Sequence, residues 1–307
     1  MNISKKINLI VNNHLVQNFI SLNFLQVANY ILPIITLPYL VRVLGPDKFG
    51  LLAFYQSFSQ FFLVFIDYGF NYTATREISI NREDLEEVSL IYSSVFTIKF
   101  YFALGSVLII TILIYLVPLF AKDWLIIYLS LSAVIAQSFF PRWFFQGYEN
   151  MKYITIITVI AKLIFTSLIF IVVIKPQDFF YVPILNTIGF LISFIISIYI
   201  IKNKFNIRYK FPSINRILIQ LRGGWHLFLS SVASSLYTSL NSFILGLFTS
   251  DFIVGYYAAA EKIVKSVQDL FTPVFHAVYP HLSKKINEDN YNAQLIIKRI
   301  LKYLSIV

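Results

Sequence analysis

The chain has 307 residues, of which 58% are hydrophobic and only 13% charged, and its formal net charge is +10. Soluble domains carry about one quarter charged residues, so this composition excludes an ordinary soluble protein and predicts a protein that faces lipid. Excess Lys and Arg is typical of the cytoplasmic loops of membrane proteins, and we favour this explanation over nucleic-acid binding. The sequence contains no cysteine, which excludes disulfides and thiol chemistry.

Two apolar runs joined by a polar hinge open the chain. Residues 19–40 and 51–70 are apolar, and the hinge between them, residues 41–50, contains Arg42, Gly45 and Pro46. Each run has about 20 residues, enough to cross a bilayer as a helix. A similar unit returns about 204 positions later, with a hinge at 249–255. We therefore predict a duplicated hairpin and two lobes in the same orientation.

The remaining apolar segments predict eight membrane spans and the start of a ninth. They cover about 18–40, 50–70, 90–118, 123–145, 152–174, 179–201, 225–249 and 252–275, with the ninth beginning near Ala293. The polar segment 71–87 is expected to be a loop or a surface helix, and 175–178 a tight turn. The predicted fold is an all-α, polytopic integral membrane helix bundle.

Three domains follow from this assignment. We expect a six-helix N-terminal lobe at 1–201, a basic cytoplasmic linker at 202–222 and the first part of a C-terminal lobe at 223–307. A second lobe that matched the first would need six spans, so we expect a chain shortened within that lobe.

Basic residues predict the orientation in the membrane. The loops after the odd-numbered spans carry only Arg42, Lys48, Lys122 and Lys175, whereas the other loops carry most of the Lys and Arg. Because cytoplasmic loops are enriched in these residues, the N-terminus is expected to be cytoplasmic. Lys5 and Lys6 precede a long apolar run without a small-residue cleavage site, which favours a retained first span over a signal peptide.

Ionisable side chains inside predicted spans are the candidate functional groups, because each costs about 2.5–3.5 kcal/mol at the centre of a membrane helix. A cavity that attracts phosphate or acidic sugars is predicted to be lined by Arg42, Gln56, Gln60, Lys99, Lys162 and Lys265. Lys99 and Lys162 would alternatively extend to the lipid headgroups, and Arg42 would alternatively cap the first span.

Three acids complete the candidate site, namely Asp67, Glu261 and Asp269. Glu261, Lys265 and Asp269 are spaced by four, so they share one helical face and alternate in sign. This stripe either lines a hydrated cavity or forms salt bridges that hold the eighth span against its neighbours. Asp67 would pair with Lys or Arg, carry a proton, or accept hydrogen bonds at a helix end.

Motifs for ATP hydrolysis, metal binding and acyl transfer are absent from the sequence. It has no G-x-x-x-x-G-K-[ST], no H-E-x-x-H and no G-x-S-x-G. We therefore expect no cofactor and no metal, and a protein that is not an enzyme. The short predicted outward loops also argue against a membrane polymerase or glycosyltransferase, which would need a larger catalytic loop.

Four stretches resemble a known family, and they occur in the family's order. They are 37–50 (LPYLVRVLGPDKFG), 67–70 with 74–77 (DYGF and ATRE), 141–149 (PRWFFQGYE) and 255–262 (GYYAAAEK). Together they resemble the polysaccharide-transporter branch of the multidrug/oligosaccharidyl-lipid/polysaccharide exporter superfamily. Members of this branch flip undecaprenyl-pyrophosphate-linked repeat units of O-antigen and capsule.

The resemblance implies two six-helix lobes around a central, often cationic cavity, alternating access and an inner-membrane location. It implies a lipid-linked oligosaccharide as substrate, membrane lipid and other polysaccharide-assembly proteins as partners, and no nucleic acid. Arg42, Lys99, Lys162 and Lys265 would neutralise the pyrophosphate, and an acid would couple transport to a cation. A cation-coupled drug exporter, a membrane enzyme and a non-transporting remnant stay open as alternatives.

Overall fold

The computed structural model describes residues 14–266 and residue 268; before residue 31 it describes the side chain of Leu25 only. The helices are α1 His14–Asp67, α2 Phe70–Asn81, α3 Leu85–Leu116, α4 Pro118–Lys122, α5 Trp124–Ser138, α6 Arg142–Gly147, α7 Met151–Val172, α8 Tyr181–Lys204, α9 Ile214–Thr238 and α10 Asn241–Phe248. A further helix, α11, covers 251–266, and a 3-10 turn covers Pro176–Phe180. The predicted all-α class is confirmed.

Five helical stretches of this described part are long and apolar enough to cross a membrane. They are Ile31–Asn81, Leu85–Leu116, Trp124–Gly147, Met151–Val172 and Pro176–Lys204. The first contains the hinge, so it includes the end of the first predicted span and the whole of the second. The protein is therefore a multi-pass membrane protein, while the number of lobes stays a prediction. The predicted ninth span lies outside the described residues, as does the end of the eighth.

The predicted first hinge is a break inside α1. Gly45 has φ 73° and ψ 166°, whereas the helix continues on both sides of it. A positive φ is readily adopted by glycine, and the following Pro46 fits the first turn of the next helical arm because that position needs no backbone N–H donor. α1 therefore has a first arm at 14–44 and a second arm at 46–67.

Two apolar cores lie towards opposite ends of the bundle. The core at the hinge end contains Leu44 and Phe49 of α1 with Ile127 of α5. The core at the α2 end contains Ile78 of α2 and Trp143 of α6, both fully buried. The predicted polar segment 71–87 is thus largely a surface helix, whose apolar face packs into this second core.

The predicted linker is shorter than expected. Only residues 205–213 separate α8 from α9, because α9 already begins at Ile214. The Ser213 hydroxyl accepts a hydrogen bond from the Arg216 amide at the start of this helix, and the Arg216 guanidinium also binds the carboxylate of Glu87 on α3, with Nη2 2.8 Å from Oε2. These contacts stabilise a helix where basic residues alone predicted a loop.

The predicted seventh span, 225–249, is not a single helix. α9 ends at Thr238, and α10 begins at Asn241 after a break at residues 239–240. α9 is long enough to cross a membrane, but it is absent from the apolar stretches above. Its charged start and its serine-rich second half lower its hydropathy.

Two glycines hold the two hinges in reciprocal contact. A Cβ atom at Gly50 would lie 1.8 Å from the carbonyl oxygen of Asp251, and one at Gly255 would lie 2.2 Å from that of Pro46. Pro46 and Gly50 correspond to Asp251 and Gly255 after a shift of 205 positions. Each hinge therefore meets its counterpart through the same positions, as in a contact across a two-fold axis. This reciprocity supports the duplicated hairpin.

We expect Gly50→Ala and Gly255→Ala to destabilise the protein by about 1–3 kcal/mol each, because the new methyl group would overlap backbone atoms of the other hinge. Thermal unfolding of the detergent-purified protein measures this change. Gly105→Ala is the matched control, since a Cβ there meets nothing within 4 Å. Equal melting temperatures for all three variants would contradict the close contact.

Candidate functional site

The second arm of α1 packs against α10 near the hinge and against α9 near its other end. Phe54 stacks on Phe243 with ring centroids 5.1 Å apart, and the Ser57 hydroxyl donates a hydrogen bond to the Ser239 carbonyl. At the α2 end, the Tyr68 ring stacks on Phe228 at 4.7 Å. The helices are thus in contact on both sides of a middle segment.

A cavity of about 450 Å³ lies at this middle segment, and we call it the serine cavity. Gln60 and Leu63 of α1 form part of one wall. The facing wall consists of hydroxyl residues on α9 and just after it, Ser230, Ser231, Ser234, Ser235, Thr238 and Ser239. Sequence reasoning included Gln60 but missed these hydroxyls, although their spacing by four was a visible signal. Gln56, one turn nearer the hinge, is half-buried.

A second cavity, of about 510 Å³, lies between α2 and α6, and we call it the α2 cleft. Its lining includes Arg76 and Tyr72 from α2 with Gln146 from α6. Tyr72 also lines the serine cavity. Its side chain is exposed, so one aromatic ring borders both cavities.

Lys99 is buried in the interior and forms an ion pair. Only 1% of the residue is exposed, and its Nζ lies 2.7 Å from Asp67 Oδ1 and 2.7 Å from the Ser138 carbonyl oxygen. Asn71 also donates to Asp67, at 3.1 Å. The headgroup alternative for Lys99 is therefore wrong in this structure. Asp67 pairs with a lysine and also accepts a hydrogen bond at the end of α1, so the structure contains two of its three predicted alternatives.

Arg142 and Lys162 extend this pair into a cationic cluster, which we define as Asp67, Lys99, Arg142 and Lys162. Arg142 interacts electrostatically with both Asp67 and Lys162. Three cations thus accompany one carboxylate. Within the described chain, no carboxylate lies at ion-pair distance from Arg142 or Lys162. Sequence reasoning counted Arg142 only among the basic residues of the cytoplasmic loops and so missed it as a site residue.

Arg42 lies apart from this cluster. It is exposed and lies three residues before the hinge at Gly45. The second arm of α1 is about 33 Å long at 1.5 Å per residue, and it separates the hinge from Asp67. The structure therefore does not bring Arg42 together with the other predicted cations.

Glu261 and Lys265 form an ion pair along their own helix, with Oε1 and Nζ 3.0 Å apart. Both residues lie on one helix, so the choice between a cavity lining and contacts with neighbouring spans stays a prediction. Asp269 lies outside the described residues, so its role stays a prediction.

These features define the protein as an all-α, multi-pass membrane protein with a buried Lys99–Asp67 ion pair beside two further cations. The model of the family described as "Polysaccharide biosynthesis protein" matches residues 15–285. The chain belongs to this family, which confirms the resemblance noted in the sequence.

Two curated proteins are similar to most of the chain. A protein of Escherichia coli (strain K12) named "Putative O-antigen transporter" is 32% identical over 291 residues, covering 95% of this chain and 70% of that protein. A protein of Shigella dysenteriae with the same name is 33% identical over 288 residues, covering 92% and 71%. No solved structure matches the chain.

We expect Lys99→Met to destabilise the protein by about 3–5 kcal/mol, because it leaves the largely buried Asp67 carboxylate without its ammonium partner. Chemical denaturation in detergent measures the free energy of unfolding. Lys210→Met serves as the control, since Lys210 pairs with Glu86 on the surface, where such pairs contribute about 0–1 kcal/mol. The double variant Lys99→Met with Asp67→Leu should recover much of the loss. Similar losses for Lys99→Met and Lys210→Met would contradict this account.

Proposed function

We propose that the protein flips a lipid-linked oligosaccharide from the cytoplasmic to the outer leaflet of the bacterial inner membrane. The names of the two similar proteins support transport of O-antigen. The observation that carries the proposal is the cationic cluster, in which the exposed Arg142 and the half-buried Lys162 accompany the buried Lys99 and its single carboxylate partner. Such charge is expensive and is retained where it has a partner or a task.

The pyrophosphate of an undecaprenyl-linked repeat unit is the chemical group that this cluster fits. The Arg142 guanidinium can bind phosphate oxygens in a bidentate fashion, and the Lys162 ammonium adds a compact positive charge beside it. Attraction between these groups and an anion is stronger inside the protein than in water, because the effective dielectric constant is lower. The polyprenyl chain stays in the lipid throughout.

Lys99 has a different part in this proposal. Its charge is neutralised by Asp67, so it holds that carboxylate in place and does not face the substrate directly. Asp67 is a candidate carboxylate for coupling transport to a cation. Because the sequence has no ATP-binding motif, we assign the driving force to ion gradients and the membrane potential, which supplies about 2.3 kcal/mol per charge per 100 mV.

In this proposal the substrate crosses the membrane by alternating access. The close contact of Gly50 with Asp251 closes the passage at the hinge end, and opening it would expose the interior to the other leaflet. The N-terminus and the α2 end would face the cytoplasm, where other polysaccharide-assembly proteins supply the lipid-linked substrate. Glu261, Lys265 and Asp269 remain candidates for a further polar surface along this path.

We expect Arg142→Gln and Lys162→Gln to lower the flipping rate by at least about tenfold each, because each removes a cation that an anionic headgroup would meet. A fluorescent polyprenyl-pyrophosphate lipid in proteoliposomes, with chemical quenching of the outer leaflet, measures the rate. Lys202→Gln is the control, since Lys202 is an exposed residue in the last turn of α8.

Wild-type flipping rates in both cluster variants, at equal protein incorporation, would contradict the proposed role of the cluster. The same assay with a phosphatidylcholine probe tests selectivity. Equal transport of the zwitterionic and the pyrophosphate lipid would also count against it.

A further inference from the structure

The serine cavity differs in chemistry from the cationic cluster, although the two are close together. Its described lining consists of hydroxyl, amide and apolar side chains, and none of them carries a formal charge. Its volume of about 450 Å³ lies within the range of about 300–1,000 Å³ that is usual for small-molecule sites. An uncharged cavity of this kind suits a polar but neutral ligand.

Ser235 supplies a second, independent observation. The residue is only 5% exposed, it lines the cavity, and its hydroxyl oxygen has no hydrogen-bond partner. A buried polar atom without a partner costs about 1–3 kcal/mol, so a ligand hydroxyl that bound it would recover that free energy. The neighbouring Ser231 and Ser234 add further hydroxyl groups, each able to donate and accept.

Apolar side chains complete the pattern. Leu63 and Leu227 line the cavity, and the Tyr72 ring borders it with 68% of the residue exposed. A pyranose ring has hydroxyl groups around its edge and C–H groups on its faces. Hydroxyl and amide groups beside an aromatic ring and two leucines match both parts of such a ring.

A short chain of contacts connects the cavity to the cationic cluster. Gln60 Nε2 lies 3.5 Å from Gln137 Oε1, and the next residue, Ser138, accepts the hydrogen bond from Lys99. Gln60 also precedes Asp67 by seven residues on the same helix, which is about 10 Å along its axis. The Gln60 wall of the cavity is therefore connected to the Lys99–Asp67 pair of the cluster.

We propose that the serine cavity binds an uncharged sugar residue of the substrate, next to the phosphate that the cationic cluster binds. This inference rests on the proposed function and adds the class of sugar to it. A uronic acid is disfavoured in the cavity, because burying its carboxylate without a cationic partner is costly. The sugar nearest the pyrophosphate is accordingly neutral.

Binding of three synthetic lipids to the detergent-purified full chain tests this inference. They are a bare polyprenyl pyrophosphate, the same lipid bearing a neutral N-acetylhexosamine disaccharide, and the same lipid bearing a uronic acid at the first sugar. Isothermal titration calorimetry gives each Kd. We expect the neutral sugar to tighten binding by about tenfold over the bare lipid, and the uronic acid to give no gain.

Ser234→Ala and Ser235→Val should bring the ratio of the two Kd values towards one, whereas Thr111→Val, on an exposed position of α3, should keep the wild-type ratio. Arg142→Gln should weaken both lipids by the same factor. Two variants are used because Ser235 is buried and its replacement could disturb folding, whereas Ser234 is exposed and its replacement should not.

Two results would overturn the inference while leaving the proposed function intact. One is a wild-type ratio in both serine variants, and the other is an equal gain from the uronic acid. If the wild-type protein bound none of the three lipids, the proposed function would fail and this inference with it.

Discussion

The close approach of two backbones at Gly50 and Gly255 is the constraint on which the arrangement of the helices depends. With no side chain at either position, the hinges meet at backbone distance, as small residues allow in membrane helix packing. Further along, Phe54 and Phe243 set a wider spacing, and by Gln60 the walls have separated enough to leave a cavity. The cavity is thus a consequence of where the helices are forced together.

The cationic cluster depends on a different interaction, the ion pair between Lys99 and Asp67. Lys99 is tolerated in the interior because Asp67 and the Ser138 carbonyl satisfy its ammonium group. Arg142 and Lys162 have no such carboxylate at contact distance in the described part of the chain, so their charge is available to an anion. In the proposed function the two kinds of charge have different roles, because the buried pair stabilises the site and the remaining cations bind the anionic group.

The sequence predicted well the features that depend on neighbours along the chain. Gly45 and Pro46 indicated the hinge, and apolar length indicated the helices. It predicted poorly the features that depend on partners far away. Nothing in the sequence pairs Lys99 with Asp67, because helical periodicity gives the face of a residue but not the helix opposite. The same limit hid Arg142, whose importance comes from Asp67 and Lys162, and it allowed the start of α9, paired with Glu87, to pass for a linker.

The second arm of α1 connects the hinge, the serine cavity and the cationic cluster. Gly50 lies near its start, Gln60 near its middle and Asp67 at its end, and between the break at Gly45 and Asp67 the arm is helical. A helix of this kind moves as one body, so a displacement at the hinge shifts the amide of the serine cavity and the carboxylate of the cluster together, relative to α9. In the proposed cycle, opening the glycine contact would therefore change the sugar site and the phosphate site in a single step. One helix contributes a residue to each of the two proposed subsites, so a single movement of that helix changes both.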